Sequence, residues 1–335
     1  MIAQSPSSQT EREWLTRLLQ GAGPIDGVGE SSKLALTGPI YQSEQTRLYL
    51  GTLEGSARKV LVKVAVDAAT GLPNVSYARR QFEILTRAAE AQVAGRALNV
   101  PRPLRLFEPE AVIVQAWIEG KGLDALLSDR TVGSVRVESL VRDAGKWLAR
   151  YHKAGGLEQK PFDPGLLAAE IEAASKTSAV LARAAIQLRE GRSLLAGRPM
   201  LASRLHCDFK PANVIVTNGE MFSIDFHDSD VTSVCFDLAH FLNALALDLI
   251  KGGRLTLMLR LGRLERAFLA GYASEVQPPD RTALLAFLVY DLARYLVWHA
   301  ASGGLGTVVK RRLMSALLER RISALRKSLV QSGSR

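Results

Sequence analysis

His206-Cys207-Asp208-Phe209-Lys210-Pro211-Ala212-Asn213, with Asp225 following in Ser223-Ile224-Asp225-Phe226, decides how this chain is read. The pattern H-x-D-x-x-x-x-N, then I-D-F, sets an acid, a carboxamide and a second acid at the spacing that phosphoryl transfer uses. In such sites the first Asp orients an attacking hydroxyl and accepts its proton, while the Asn and the second Asp hold Mg²⁺ against nucleotide phosphates. Val214-Ile215-Val216 and Met221-Phe222-Ser223-Ile224 are short apolar runs around Asn218-Gly219, a strong hairpin signal. A hairpin here brings Asn213 and Asp225 together at the open ends of paired strands. Their oxygen donors suit a hard cation such as Mg²⁺.

On these residues the chain resembles the aminoglycoside phosphotransferase and choline kinase-like family, which shares its two-lobed fold with the protein kinases. Lys210-Pro211 echoes the protein-kinase catalytic loop, where the Lys contacts the transferred phosphate. Asp237 in Phe236-Asp237-Leu238-Ala239 matches the D-L-A that follows the metal Asp in small-molecule kinases of this kind and braces the loop there. The resemblance implies an α+β, protein kinase-like bilobal fold. A small β-rich lobe is expected over residues 1–118 and a larger, mainly helical lobe over 119–335. It also implies ATP and Mg²⁺ as cofactors and a hydroxyl group as the phosphate acceptor.

The small lobe is read outward from Lys59-Val60-Leu61-Val62-Lys63-Val64-Ala65-Val66, a strand with a Lys inside an apolar run. A buried charge needs a partner. The resemblance supplies the nucleotide phosphates and a helix Glu: Glu83, with Glu90 competing for the role. Lys33–Thr37 and Thr46–Leu53 read as two strands joined by a loop from Gly38 to Gln45, in which Ser43 is the candidate phosphate contact. Glu11–Gln20 has the apolar spacing of a helix capping this lobe. The glycines between Gly21 and Gly29 fit no phosphate-binding string and read as a linker. Val100-Pro101-Arg102-Pro103, a strand to Trp117 and Ile118-Glu119-Gly120 resemble a hinge whose backbone over Gln115–Ile118 binds the adenine edge. Trp117 either faces the purine or packs in the core.

Beyond Leu123 the pattern is helical: Val137–Ala154, Leu166–Leu195, Cys235–Ile250, Leu255–Tyr272 and Thr282–Ala301. His152 reads as a structural or solvent-facing residue, and His206 as bracing the loop. Asp291, Glu265, Glu275, Asp280, Asp228 and Asp230 are the acids available to an acceptor pocket. Cys207 and Cys235 exclude a disulfide framework, and with His206, His227 and His240 they lack zinc-site spacing. They read as buried structural thiols.

With 43 Lys+Arg against 33 Asp+Glu, the net charge is +10. That balance does not favour a site built for polycationic aminoglycosides. Two acceptor models stay open: a neutral or anionic sugar or polyol, small or lipid-linked, as in the lipopolysaccharide kinases that share this loop, and an amino alcohol or drug held by local acids. The basic, leucine-rich stretch from Lys310 to Leu329 is either a terminal helix docked on the lobe or an amphipathic helix for an anionic membrane surface. Nucleic acid is disfavoured, because no recognition motif accompanies the charge. A nucleotide-binding scaffold without turnover is the non-enzyme alternative. A protein kinase is the enzyme rival, but the interval from Asp225 to Asp237 leaves no room for an activation segment. No secretory leader or membrane span is legible, and a cytoplasmic location is expected.

Overall fold

Val60, Val62 and Val64 alternate with Leu61 and Lys63: the valines pack with Leu15, Leu19 and Tyr49, Lys63 meets Gln81, and the strand is paired along both edges. The computed structural model describes residues 8–21, 25, 34–53, 58–91, 98–167, 171–172, 178–227, 231–298 and 305–333. The chain divides into two compact units, Met1–Glu119 and Gly120–Arg335.

In the first unit, β1 (Leu34–Gln42), β2 (Thr46–Leu53), β3 (Lys59–Ala65), β4 (Pro103–Phe107) and β5 (Val112–Ala116) form an antiparallel sheet in the order β1-β2-β3-β5-β4. Helix α1 (Ser8–Gly21) buries Leu15 and Leu19 against Leu34, Tyr49 and Val60 of the sheet. Buried Glu11 anchors it by accepting from the Tyr49 hydroxyl at 3.0 Å and pairing with Arg47. Helix α2 (Val75–Ala91) starts at Asn74, whose side-chain oxygen accepts the Tyr77 N–H at 3.1 Å, an N-cap.

The expected Gly38–Gln45 loop is largely strand. Tyr41 and Gln42 pair with Leu48 and Arg47, past an irregularity between Thr37 and Tyr41 that holds Gly38-Pro39. Proline has no N–H to give a ladder, so the irregularity falls there. Gly23, Gly27 and Gly29 of the expected linker lie outside the described residues.

In the second unit the helices are α3 (Leu123–Ser128), α4 (Ser134–Ala154), α5 (Ala179–Leu195), α6 (Cys235–Lys251), α7 (Leu255–Met258), α8 (Leu261–Ala273), α9 (Arg281–Trp298) and α10 (Leu305–Gly333). β6 (Lys121–Gly122), β9 (Val214–Thr217) and β10 (Glu220–Ser223) form one small sheet, and β7 (Glu158–Pro161), β8 (Pro199–Ser203) and β11 (Thr232–Ser233) another. The helix expected over Leu166–Leu195 is observed from Ala179, and the one expected over Leu255–Tyr272 is broken into α7 and α8.

Helices α4 and α8 cross through Gly145 and Gly271. A Cβ on Gly145 would collide with the Phe268 carbonyl, and one on Gly271 with that of Arg142. This close approach sets the floor beneath the loop quoted above. Helix α10 buries Met314, Leu317, Leu318, Ile322 and Leu325 and packs on α5, α9 and α6. Its Arg321 pairs with Glu265 at 2.6 Å. These apolar side chains of α10 are therefore occupied within the protein. Among the described residues no helix is long and apolar enough to span a bilayer.

Candidate active site

The hairpin forms as its sequence dictates. Thr217 pairs with Glu220 across Asn218 and Gly219, both at positive φ, as a tight type I′ connection requires. At its open end the Ile224 N–H donates to the Asn213 carbonyl at 3.0 Å, and the Ser223 hydroxyl reaches the same carbonyl at 3.1 Å. The two candidate metal residues thus belong to one hydrogen-bonded unit.

Phe209, fully buried, anchors the loop between Asp208 and Lys210. Its ring stacks on Trp147 of α4 at 5.4 Å and on Phe241 of α6 at 5.2 Å, and Phe241 stacks on Phe268 of α8 at 4.3 Å. Asp237 holds the loop backbone: one carboxylate oxygen accepts the His206 N–H at 2.7 Å, the other the Cys207 N–H at 2.9 Å. Asp237 is in turn met by His152 Nε2 at 3.0 Å, and His152 Nδ1 faces the Tyr272 hydroxyl at 2.9 Å. A carboxylate only accepts, so Nε2 carries the proton. His152 is structural, one of its two expected roles, and ties the crossing of α4 and α8 to the loop. His206 braces the hairpin through Ser223 at 2.7 Å, and burial pulls its pKa down to about 4, so the ring is neutral.

Asp208 lies in a clamp. Lys210 Nζ donates to its two oxygens at 2.9 and 2.6 Å, and Asn213 Nδ2 donates to Oδ2 at 2.8 Å and to the Asp208 carbonyl at 2.9 Å. His240 Nε2 donates to Oδ1 at 3.1 Å, and His240 Nδ1 to Asp291 at 3.1 Å. Asn243 supports Asp291 at 3.0 Å. Burial raises the Asp208 pKa, but the hydrogen bonds and charges of His240 and Lys210 outweigh it and hold the carboxyl well below the usual range. Burial likewise pulls His240 down, yet its two carboxylate partners lift it to about 10. At neutral pH the array is therefore Asp208⁻, His240⁺, Asp291⁻. His240 entered the sequence reading only as a zinc candidate. Its place on α6, one turn after Asp237, is the signal that could have linked it to the loop.

Asn213 uses its amide N–H₂ on Asp208, which leaves its side-chain oxygen as the end suited to a cation. Asp208, Asp225 and His227 offer ligand atoms that all lie within 4.8 Å of one another. Oxygen donors from Asn213 and Asp225 fit a hard divalent ion, and His227 adds a nitrogen that the sequence reading did not assign. Cys207 is exposed, unlike the buried Cys235, which corrects the expectation of two buried thiols.

The helix partner of Lys63 also differs from expectation. Lys63 is buried and donates to Gln81 at 3.3 Å, whereas Glu83 is exposed. Residues two apart on a helix point to nearly opposite sides, and the face of α2 turned inward is that of Ala78, Gln81, Ile84 and Ala88. Ser43 closes the turn between β1 and β2: its hydroxyl accepts the Gln45 and Thr46 N–H groups at 3.3 and 3.1 Å. At the expected hinge Gln115 is in β5, and the Trp117 N–H pairs with the Lys59 carbonyl at 3.2 Å. The half-buried Trp117 ring donates to Glu119 at 2.9 Å. Ile118 is the hinge residue whose backbone polar groups meet no partner among the described residues.

Beside Asp208 a cavity of about 260 Å³ opens between α6 and α9, lined by Lys210, His240, Leu247, Tyr295 and Trp298 among others. Of the acids expected at an acceptor pocket, Asp291 lines this cavity. Glu265 pairs with Arg321, Glu275 with Arg150 and Lys146, and Asp280 caps α9 through the Ala283 N–H. Asp228 and Asp230 lie outside the described residues.

Comparison with known proteins agrees with this geometry. A family model described as "Phosphotransferase enzyme family" matches residues 44–287. No curated protein matches the chain. Among solved structures, a glucosamine kinase in complex with glucosamine, ADP and inorganic phosphate is similar at 17% identity, with 88% of this chain and 84% of that one covered and a TM-score of 0.60. A choline/ethanolamine kinase family protein from Mesorhizobium loti matches at 15% identity over 96% of this chain and 99% of that one, with a TM-score of 0.59. An amicoumacin kinase in complex with AMP-PNP, Ca²⁺ and its ligand matches at 14% identity over 97% and 94%, with a TM-score of 0.55. The fold is that of the protein kinase-like small-molecule kinases.

Proposed function

This chain belongs to the phosphotransferase enzyme family, and from that premise we propose that it moves the γ-phosphate of ATP to a hydroxyl group of a small molecule, with Asp208 as the base. The observation that carries the reading is the Asp208 clamp beside an open pocket. An ionised carboxylate held by Lys210, Asn213 and His240 has one geometry in which to meet an entering hydroxyl.

The acceptor oxygen forms a bond to the γ-phosphorus as the bond from that phosphorus to the β,γ-bridging oxygen breaks, and ADP leaves with the electron pair. The hydroxyl proton passes to Asp208. Because Asp208 is held well below the usual carboxylate range, it orients the hydroxyl and takes the proton late, as negative charge leaves the acceptor oxygen. Lys210, next to the transferred group, offsets the charge that gathers on the phosphoryl oxygens. Mg²⁺, when bound, would be held by the Asn213 side-chain oxygen and Asp225 and would neutralise phosphate charge. Lys63 is assigned to the nucleotide phosphates and Ile118 to the adenine edge. Glu83 and Ser43 receive no direct role, and Gln81 replaces Glu83 beside Lys63.

Asp208→Asn is the test. Phosphate transfer to any accepted hydroxyl should fall by at least about a thousandfold, since both base and clamp are lost, while ATP affinity measured by calorimetry stays within a few-fold. Full turnover by Asp208→Asn would sink the assignment.

A further inference from the structure

The charges lining the cavity next to Asp208 bear on what enters it. Four cationic side chains, Lys210, His240, Lys251 and Arg294, face two carboxylates, Asp248 and Asp291. Neither carboxylate is open to an ammonium group. Asp291 is engaged by His240 and Asn243. Asp248 is paired with Lys251 at 3.1 Å, and burial raises its pKa, a change that favours the neutral acid. Asp208, just beyond the lining, is bound by Lys210 and His240.

The cations are differently placed. Arg294 lies over the rings of Trp298 and Tyr290, 4.9 and 5.8 Å from their centroids; Asp291, three residues earlier on α9, feels its charge but takes its hydrogen bonds from His240 and Asn243. Stacking of this kind holds the guanidinium plane and leaves its in-plane N–H groups for an oxyanion. The Lys251 side chain, paired with Asp248 through a single contact, is 57% exposed, and a pair with so exposed a member is held weakly. Trp298, 65% exposed, is a large apolar surface at the rim of the same cavity. At about 260 Å³ the space lies at the lower edge of ligand pockets, which suits a single sugar or polyol unit.

Resting on the phosphotransfer reading above, we propose that the acceptor is an anionic hydroxyl compound, a sugar or polyol bearing a carboxylate or phosphate, and that Arg294, assisted by Lys251, binds its anionic group. An ammonium-bearing acceptor such as an aminosugar or amino alcohol meets a pocket whose own acids are already neutralised. The glucosamine kinase and the choline/ethanolamine kinase relative share the fold with this chain, not this charge distribution by implication.

The test uses the full chain with AMP-PNP and Mg²⁺ and compares acceptors that differ in charge on one skeleton: glucose, glucosamine, glucuronate and glucose 6-phosphate. A second set comprises glycerol, serinol, glycerate and glycerol 3-phosphate. Affinity is read by calorimetry, and turnover with ATP is read in parallel. In at least one set an anionic member should bind at least tenfold more tightly than the ammonium member. Arg294→Gln should reduce that preference by about tenfold, the scale of a lost charge-assisted hydrogen bond. Arg294→Lys should retain part of it, and Lys251→Gln, at an exposed position, should weaken anion binding in a variant that keeps the pocket intact. The carboxylate and phosphate arms distinguish the two anionic chemistries.

Tighter binding of the ammonium member in both sets overturns the proposal. So does absence of binding by every anionic member, or a preference that Arg294→Gln leaves unchanged. The two readings fail separately. Anionic compounds that bind through Arg294 without turnover leave this inference standing and count against phosphotransfer. Turnover confined to ammonium acceptors does the reverse.

Discussion

Asp208 is surrounded by more positive charge than orientation of a hydroxyl requires, and His240 is the reason. Its imidazolium bridges Asp208 and Asp291, so one residue couples the proposed base to helix α9. Folding raises the His240 pKa from 6.5 to about 10. The stabilisation is therefore complete below pH 6.5 and is lost as pH rises through about 10. The depressed carboxyls of Asp208 and Asp291 have the opposite sign: their contribution is present above the ordinary carboxylate range and is lost as pH falls through their lowered values. Thermal unfolding of the native chain should thus show declining stability from pH 6.5 to 10, and His240→Asn should flatten that decline. At neutral pH the variant should lose about 3 kcal/mol, the cost of removing one partner from a buried ion pair. The acid limb of its rate profile should move up toward the ordinary carboxylate range. A native-like pH dependence of both stability and rate in His240→Asn would show that the bridge does not tune Asp208.

At the scale of elements, helix α2 shows how a face rather than a sequence interval selects a partner. A strand Lys followed by a helix with two acids, Glu83 and Glu90, invites an ion pair, yet the inward stripe of α2 carries Gln81, and Glu83 faces outward. The neutral Gln81 side chain meets Lys63 by a hydrogen bond at 3.3 Å, where the resemblance implied a carboxylate. Gln81→Ala should raise the KM for ATP by about tenfold or more, the scale of one lost hydrogen bond to a charged group. Glu83→Ala should leave it within twofold. The reverse ranking in steady-state kinetics would restore Glu83 to the role that the resemblance implied. The same lesson holds for the crossing of α4 and α8, where Gly145 and Gly271 let two backbones meet closely enough for Tyr272 to reach His152, which in turn holds Asp237.

For the whole molecule, a net charge of +10 pointed to several classes of partner, and the distribution of that charge separates them. Helix α10 turns Arg320, Arg326 and Lys327 outward while its apolar side chains enter the core of the second unit. Removing residues 305–335 uncovers the sites of Met314, Leu317, Leu318, Ile322 and Leu325. At about 2 kcal/mol for each buried side chain, the loss is on the order of 10 kcal/mol, comparable to the whole stability of a typical domain. The truncated chain should fail to give a cooperative thermal transition. Replacing Arg320, Arg326 and Lys327 together by Ser should move the midpoint by no more than about 2 °C, because exposed charges contribute little. A truncated chain that melts like the native one would return α10 to the status of an appendage.

The sequence by itself determined the His206–Asn213 motif, the Asn218-Gly219 hairpin, the central strand with Lys63 and the spans of most helices. Each of these is encoded locally, in the spacing of a motif, the chemistry of a turn or the period of an apolar stripe. Only the tertiary structure decided that His240 and Asp291 close around Asp208, that Gln81 meets Lys63, that Ser43 builds a turn and that the acids near the acceptor pocket are already engaged. These are contacts between distant segments. Their partners are selected by helix rotation and backbone approach, and a linear pattern of residue types does not record either.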